Sequence, residues 1–159
     1  MDKILIQKKF KTATWIIFTA YLLILVKLIF FKLPLYIILT SFKSDYYNIW
    51  LSINLIPFKT IIPYLQGIPA VNIAIENLLG NVLLFLPFGF LLPLLTQKIN
   101  SYKRIFITAI IFSFSLEIAQ LTLHVGSFDV DDIILNTTGA MLGYMVANKI
   151  FTLQSLNRT

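Results

Sequence analysis

Between Glu117 and Gly139 the chain reads EIAQLTLHVGSFDVDDIILNTTG. This stretch holds Glu117, Asp129, Asp131 and Asp132, four of the seven acidic residues of the protein, and His124, its one histidine. Carboxylates and an imidazole in one place can move protons, bind a hard cation through oxygen ligands, or hydrogen-bond the polar head of a ligand. Amides to complete such a site stand nearby in sequence, as Gln120 and Asn136, and further upstream, as Asn77 and Asn81. No HExxH or comparable motif accompanies them, and no nucleophile, base and orienting group fall into a recognisable set. No metal and no cofactor is therefore expected. Glu117, Asp129 and Asp132 are the candidate catalytic groups if the site does chemistry. Asn77, Asn81, Glu117, Gln120, His124, Asp129, Asp132 and Asn136 are the candidate ligand-binding residues.

The elements that must position these groups are written in the apolar background. Of 159 residues 58% are hydrophobic and only 13% charged, with a mean hydropathy of +0.84. A soluble domain carries about 25% charged residues and could not hide this much apolar surface in one core. About 20 apolar residues cross the ~30 Å hydrocarbon layer as a helix, so the chain is expected to be an all-α, polytopic membrane bundle of about four transmembrane helices. The absence of cysteine excludes disulfides and thiolate chemistry. The net charge of +6 does not indicate nucleic acid, because the lysines flank apolar runs and act as topology signals.

The spans are expected at about residues 14–31, 76–96, 104–124 and 131–151 of a single domain, 1–159. The basic start followed by an apolar run resembles a signal peptide, but the run is long for one and no small-residue cleavage site follows; a retained first helix is expected. Lys3, Lys8, Lys9 and Lys11, then Lys98, Lys103 and Arg104, then Lys149 and Arg158, lie at the ends that would face the cytoplasm, whereas the turn between the third and fourth spans has aspartates and no basic residue. Both termini are thus expected inside, in the bacterial cytoplasmic membrane. Residues 32–75 form the exception, with Lys32, Lys43 and Lys59 on the outer side. Tyr46, Tyr47, Trp50 and Tyr64 favour the headgroup level, and Pro57, Pro63 and Pro69 forbid one continuous helix. That segment is expected to be an interfacial or shallow re-entrant cap.

At about 1.5 Å per residue, this topology puts the polar groups of three helices at one level, near the outer surface. Ser113, Glu117, Gln120 and His124 follow helical steps of four, three and four; so do Asp132, Asn136, Gly139 and Gly143, whose glycines would let a neighbouring backbone approach. Asn77, Gly80 and Asn81 make a similar patch. Structural roles compete with functional ones at most of these positions. Asp129, Asp131 and Asp132 could cap the fourth helix, the asparagines could join helices by hydrogen bonds, and His124 could be an ordinary interfacial histidine. Glu117 is the hardest to explain so, since a carboxylate within a span usually faces the bundle interior or a water-filled cavity.

Four segments together resemble the VanZ-like family of bacterial membrane proteins: NLIPFKTI from Asn54, NLLGNVLLFLPFGFLLPLL from Asn77, EIAQ from Glu117, and SFDVDDIILNTTGAMLGY from Ser127. Many members of that family carry an arginine immediately before the SFD-like segment, where this chain has Gly126 and so departs from the pattern. The resemblance implies a cell-envelope protein, akin to proteins associated with resistance to teicoplanin-type glycopeptide antibiotics. The reading that follows is a non-catalytic protein whose outward polar pocket binds a lipid headgroup, a lipid-linked wall precursor or an envelope protein within the bilayer. A membrane enzyme acting on a lipid-linked substrate ranks second. A small transporter ranks third, because the inner halves of the helices lack polar residues to continue a path.

Overall fold

The computed structural model describes residues 2–30 and 52–156, and the fold is all-α. In chain order come α1 (Asp2–Phe30), β1 (Ile53–Asn54), α2 (Ile61–Leu65), α3 (Val71–Leu95), a 3-10 turn (Gln97–Ile99), α4 (Tyr102–Thr122), β2 (Phe128–Asp129) and α5 (Val130–Leu156). Helix α1 starts well before residue 14, running through the exposed lysines 8, 9 and 11 without a breaker. Helix α3 starts at Val71 rather than 76, because the extended Ala70 after Pro69 is the last residue that resists helix and nothing after it does. Ser101 caps α4, its hydroxyl accepting from the Arg104 N–H at 3.4 Å. Of the expected cap, residues 32–51 lie outside the described residues. The remainder, 52–70, is a strand, a turn and the five-residue α2, with no helix of spanning length, as its prolines require.

Helices α3 and α5 form the closest pair, and glycine decides how close. A Cβ at Gly139 would stand 2.1 Å from the Val82 carbonyl oxygen, and one at Gly143 would stand 2.0 Å from that of Leu86. Gly89 returns the approach against Ala140. Gly80, by contrast, faces open space and takes no part. Helix α4 packs on α5, and α1 packs on α3. Phe88 lies at the centre of the apolar core, stacked on Phe112 with ring centroids 4.8 Å apart and flanked by Phe18 and Phe85. The Tyr21 hydroxyl donates to the Leu84 carbonyl at 2.8 Å, tying α1 to α3 beside the turn where Pro87 removes a helical N–H. Helix α3 nonetheless runs on through Pro87 and Pro93.

Among the described residues three helices are long and apolar enough to cross a membrane: Lys8–Phe30, Val71–Leu95 and Tyr102–Thr122. The expected fourth, α5, has ample length at 27 residues but a different distribution of apolarity. Its buried face carries Asp131, Asn136, Thr137, Gly139, Gly143 and Tyr144, while Leu142, Met145 and Val146 are exposed. Most of its polar and small residues are spent on contact with neighbours, which lowers its average hydropathy; Lys149, toward its C-terminal end, is exposed.

Candidate functional site

The end of the bundle where α3 and α5 begin and α4 stops is built around two aspartates. The Asp131 side chain has no solvent exposure. Its Oδ1 accepts the Phe58 N–H at 2.6 Å, and its Oδ2 accepts the N–H groups of Thr60 at 2.7 Å and Ile61 at 3.1 Å. One carboxylate thus takes up the backbone donors of the turn that opens α2, which have no helical acceptor of their own. The turn is bent sharply: Phe58 holds a φ of 66°, a left-handed conformation that a bulky side chain adopts only when its surroundings hold it there.

Asp129 completes the junction. Its Oδ1 accepts from Asn54 Nδ2 at 2.8 Å and from the Asp131 N–H at 2.9 Å, and its Oδ2 accepts the Thr60 hydroxyl at 2.6 Å. Asn54 Nδ2 also lies 3.2 Å from Thr60 Oγ1. The strands β1 and β2 pair in parallel directly alongside, Ile53 with Phe128 and Asn54 with Asp129. Capping of α5 therefore belongs to Asp129, whereas Asp131 reaches across to another segment.

From this junction polar contacts run down two interfaces. Glu117, only 2% exposed, accepts the Asp129 N–H on Oε2 at 3.0 Å, joining α4 to the head of α5. One turn inward, Asn136 donates to Ser113 Oγ at 2.9 Å between the same two helices. On the other side Asn81 of α3 donates to Asp132 Oδ1 at 2.7 Å. Asn77 turns its amide back to the Ile73 carbonyl of its own helix at 2.8 Å. Next to Asp132 stands Tyr64 of α2. Burial, and then the charges of Asp132 and Asp129, raise its phenol above the usual 10. Tyr64 lines a pocket of about 380 Å³ between α2 and α3 whose other walls include Gln66, Val71, Ala74 and Leu78.

The chain matches the profile of the VanZ/LLP1 family over residues 18–152. It is also 32% identical to protein VanZ of Enterococcus faecium over 141 residues, which cover 87% of this chain and 77% of that protein. The chain belongs to the VanZ family. With its three apolar helices, it is a membrane protein of the family linked to teicoplanin resistance. No solved structure matches it.

Two residues of this VanZ-family chain gain definite surroundings. His124 ends α4 with a φ of 52°; its N–H donates to the Leu121 carbonyl at 3.2 Å, and the next N–H, of Val125, reaches the Gln120 carbonyl at 3.0 Å. This is the Schellman arrangement, with histidine at the left-handed position that glycine usually fills. Gly126 is overlaid by Gln120: a Cβ there would lie 3.0 Å from Gln120 Nε2. Among the described residues no three His, Asp or Glu side chains assemble into a metal-ligand group. The residues that sequence reasoning did not single out are Asn54 and Thr60. Their signal was present in NLIPFKTI, where an asparagine and a threonine bracket a proline turn.

Proposed function

We propose that this chain is an integral protein of the bacterial cytoplasmic membrane that binds the polar head of an envelope lipid or lipid-linked wall precursor at the outer end of its bundle. In this reading α5 is a fourth span, both termini are cytoplasmic, and the Asp129–Asp131 junction faces outward. The observation that carries it is the pocket between α2 and α3 lined by Tyr64, whose phenol feels the charge of Asp132. Its walls are largely apolar, with Tyr64 and Gln66 as the polar side chains, as suits a ligand with a chain and a hydrogen-bonding head. The negative charge of Asp132 and Asp129 felt at Tyr64 favours a head rich in donors, such as amines and hydroxyls. Glu117 supports the site from beneath by holding the Asp129 backbone.

The test is teicoplanin tolerance in a susceptible bacterium expressing the chain, with protein in the membrane quantified. The wild-type chain should raise tolerance. Asp132→Asn and Glu117→Gln, both nearly isosteric, should reach the membrane at normal levels and lose most of that effect. Full protection by both variants would remove the carboxylates from the mechanism, and no effect of the wild-type chain would remove the resistance role.

A further inference from the structure

The segment between β1 and α3 exposes an unusual amount of apolar surface. Leu55, Ile56, Phe58, Ile62, Leu65 and Ile68 are each more than half exposed. A run of this kind marks a surface that another apolar phase covers. It passes without a break into the outer face of α3, where Val71, Ile75, Leu79 and Leu83 recur every fourth residue, 51–63% exposed. Because α3 is a membrane-spanning helix by length and composition, the phase covering that stripe is lipid, and the same phase extends over the segment that leads into it.

One cation stands in this apolar run. Lys59 is exposed, and no carboxylate of the described residues pairs with it. The two carboxylates beneath the segment are turned inward, each accepting three hydrogen bonds from Asn54, Thr60 and the backbone. Lys59 also lines a hollow of about 330 Å³ with Ile53, Asn54, Leu55 and Ile56. A cation at the mouth of a mostly apolar hollow, on a surface continuous with a lipid-facing helix, has the chemistry of a phospholipid site.

We propose that Lys59 and the hollow beside it hold an anionic phospholipid, with the phosphate on the ammonium and the ester-proximal chain against Ile53, Leu55 and Ile56. The site is separate from the Tyr64 pocket and stands whichever way the bundle is oriented. It also gives the lysine of an aromatic and apolar cap a local partner, where a topology signal was out of place.

The test uses the full chain in nanodiscs of phosphatidylcholine with a minor share of phosphatidylglycerol, reading the lipids retained on release by native mass spectrometry. Wild type should retain phosphatidylglycerol above its share. Lys59→Gln should lower that enrichment about fivefold, the effect of one basic residue at an anionic surface, and Lys59→Arg should keep it. Leu55→Ser with Ile56→Ser, both exposed, should weaken retention while thermal unfolding stays unchanged. Unaltered enrichment in Lys59→Gln, an equal loss in Lys103→Gln at the opposite end of α4, or displacement by inorganic phosphate alone would each overturn the proposal.

Discussion

Asp131 shows how much can hang on one side chain. Three backbone N–H groups from residues 58–61 converge on it in a place closed to solvent, and each would cost about 1–3 kcal/mol if left unpaired. Asp131→Ala should therefore lower stability by about 3 kcal/mol or more, measured by thermal unfolding in detergent micelles. It should also open the 52–61 segment to protease. Asp131→Asn should be nearly as harmful, since its NH2 would face donors. His124 invites the opposite expectation. Its left-handed φ is one that glycine adopts freely, so His124→Gly should fold at least as well as wild type; retained teicoplanin tolerance in that variant would exclude a ligand role for the imidazole. In the sequence the aspartates were conspicuous, but their tasks were not. Spacing tells which side chains share a helical face, as for Ser113 and Glu117, which both meet α5 or its head, whereas Asp132 and Asn136 turn to different neighbours. It does not tell which distant segment returns to meet them, so the reach of Asp131 to Phe58 was invisible.

Helix pairing follows the same division between local pattern and distant partner. The steps from Asp132 through Asn136 to Gly139 and Gly143 marked one face of α5 as polar and small, and that face lies on α3 and α4. The sequence did not distinguish these glycines from Gly80, which has an equally polar neighbourhood in Asn77 and Asn81. The structure separates them by what stands opposite: the Val82 and Leu86 carbonyls in one case, open space in the other. Gly139→Ala should accordingly destabilise by about 1–3 kcal/mol, as overpacking at a closed contact does. Gly80→Ala should be neutral or stabilising by up to ~1 kcal/mol through helix propensity. Unfolding of both variants in the same detergent checks the pair, and equal effects would contradict the α3–α5 contact.

At the scale of the molecule, the apolar composition made a helical membrane bundle legible, and with it the approximate place of each long helix. The count of spans was less secure, because the average hydropathy of α5 is set by residues that face its neighbours rather than lipid. Orientation rests on the lysines. In a chain without cysteine, single cysteines at Ser127 and Ser101 should behave differently toward an impermeant thiol reagent applied to intact spheroplasts. Position 127 should label and position 101 should not. Labelling of 101 alone would invert the bundle, and labelling of both would require α4 not to cross.

The parallel pairing of β1 with β2 also imposes an order of events on biosynthesis. Residues 53 and 54 leave the ribosome some 75 positions ahead of their partners 128 and 129. Until α4 and α5 have been inserted, the amides of Phe58, Thr60 and Ile61 have none of the carboxylate acceptors that later hold them. The early segment must wait at the membrane surface, where water and headgroups can satisfy its backbone, and the left-handed turn at Phe58 has nothing yet to enforce it. Closure of this end of the protein is consequently a late step, triggered by arrival of the VDD sequence. A chain stalled or cleaved before that point would carry α1, α3 and α4, all within its first 122 residues, with the loop ahead of α3 left unfastened.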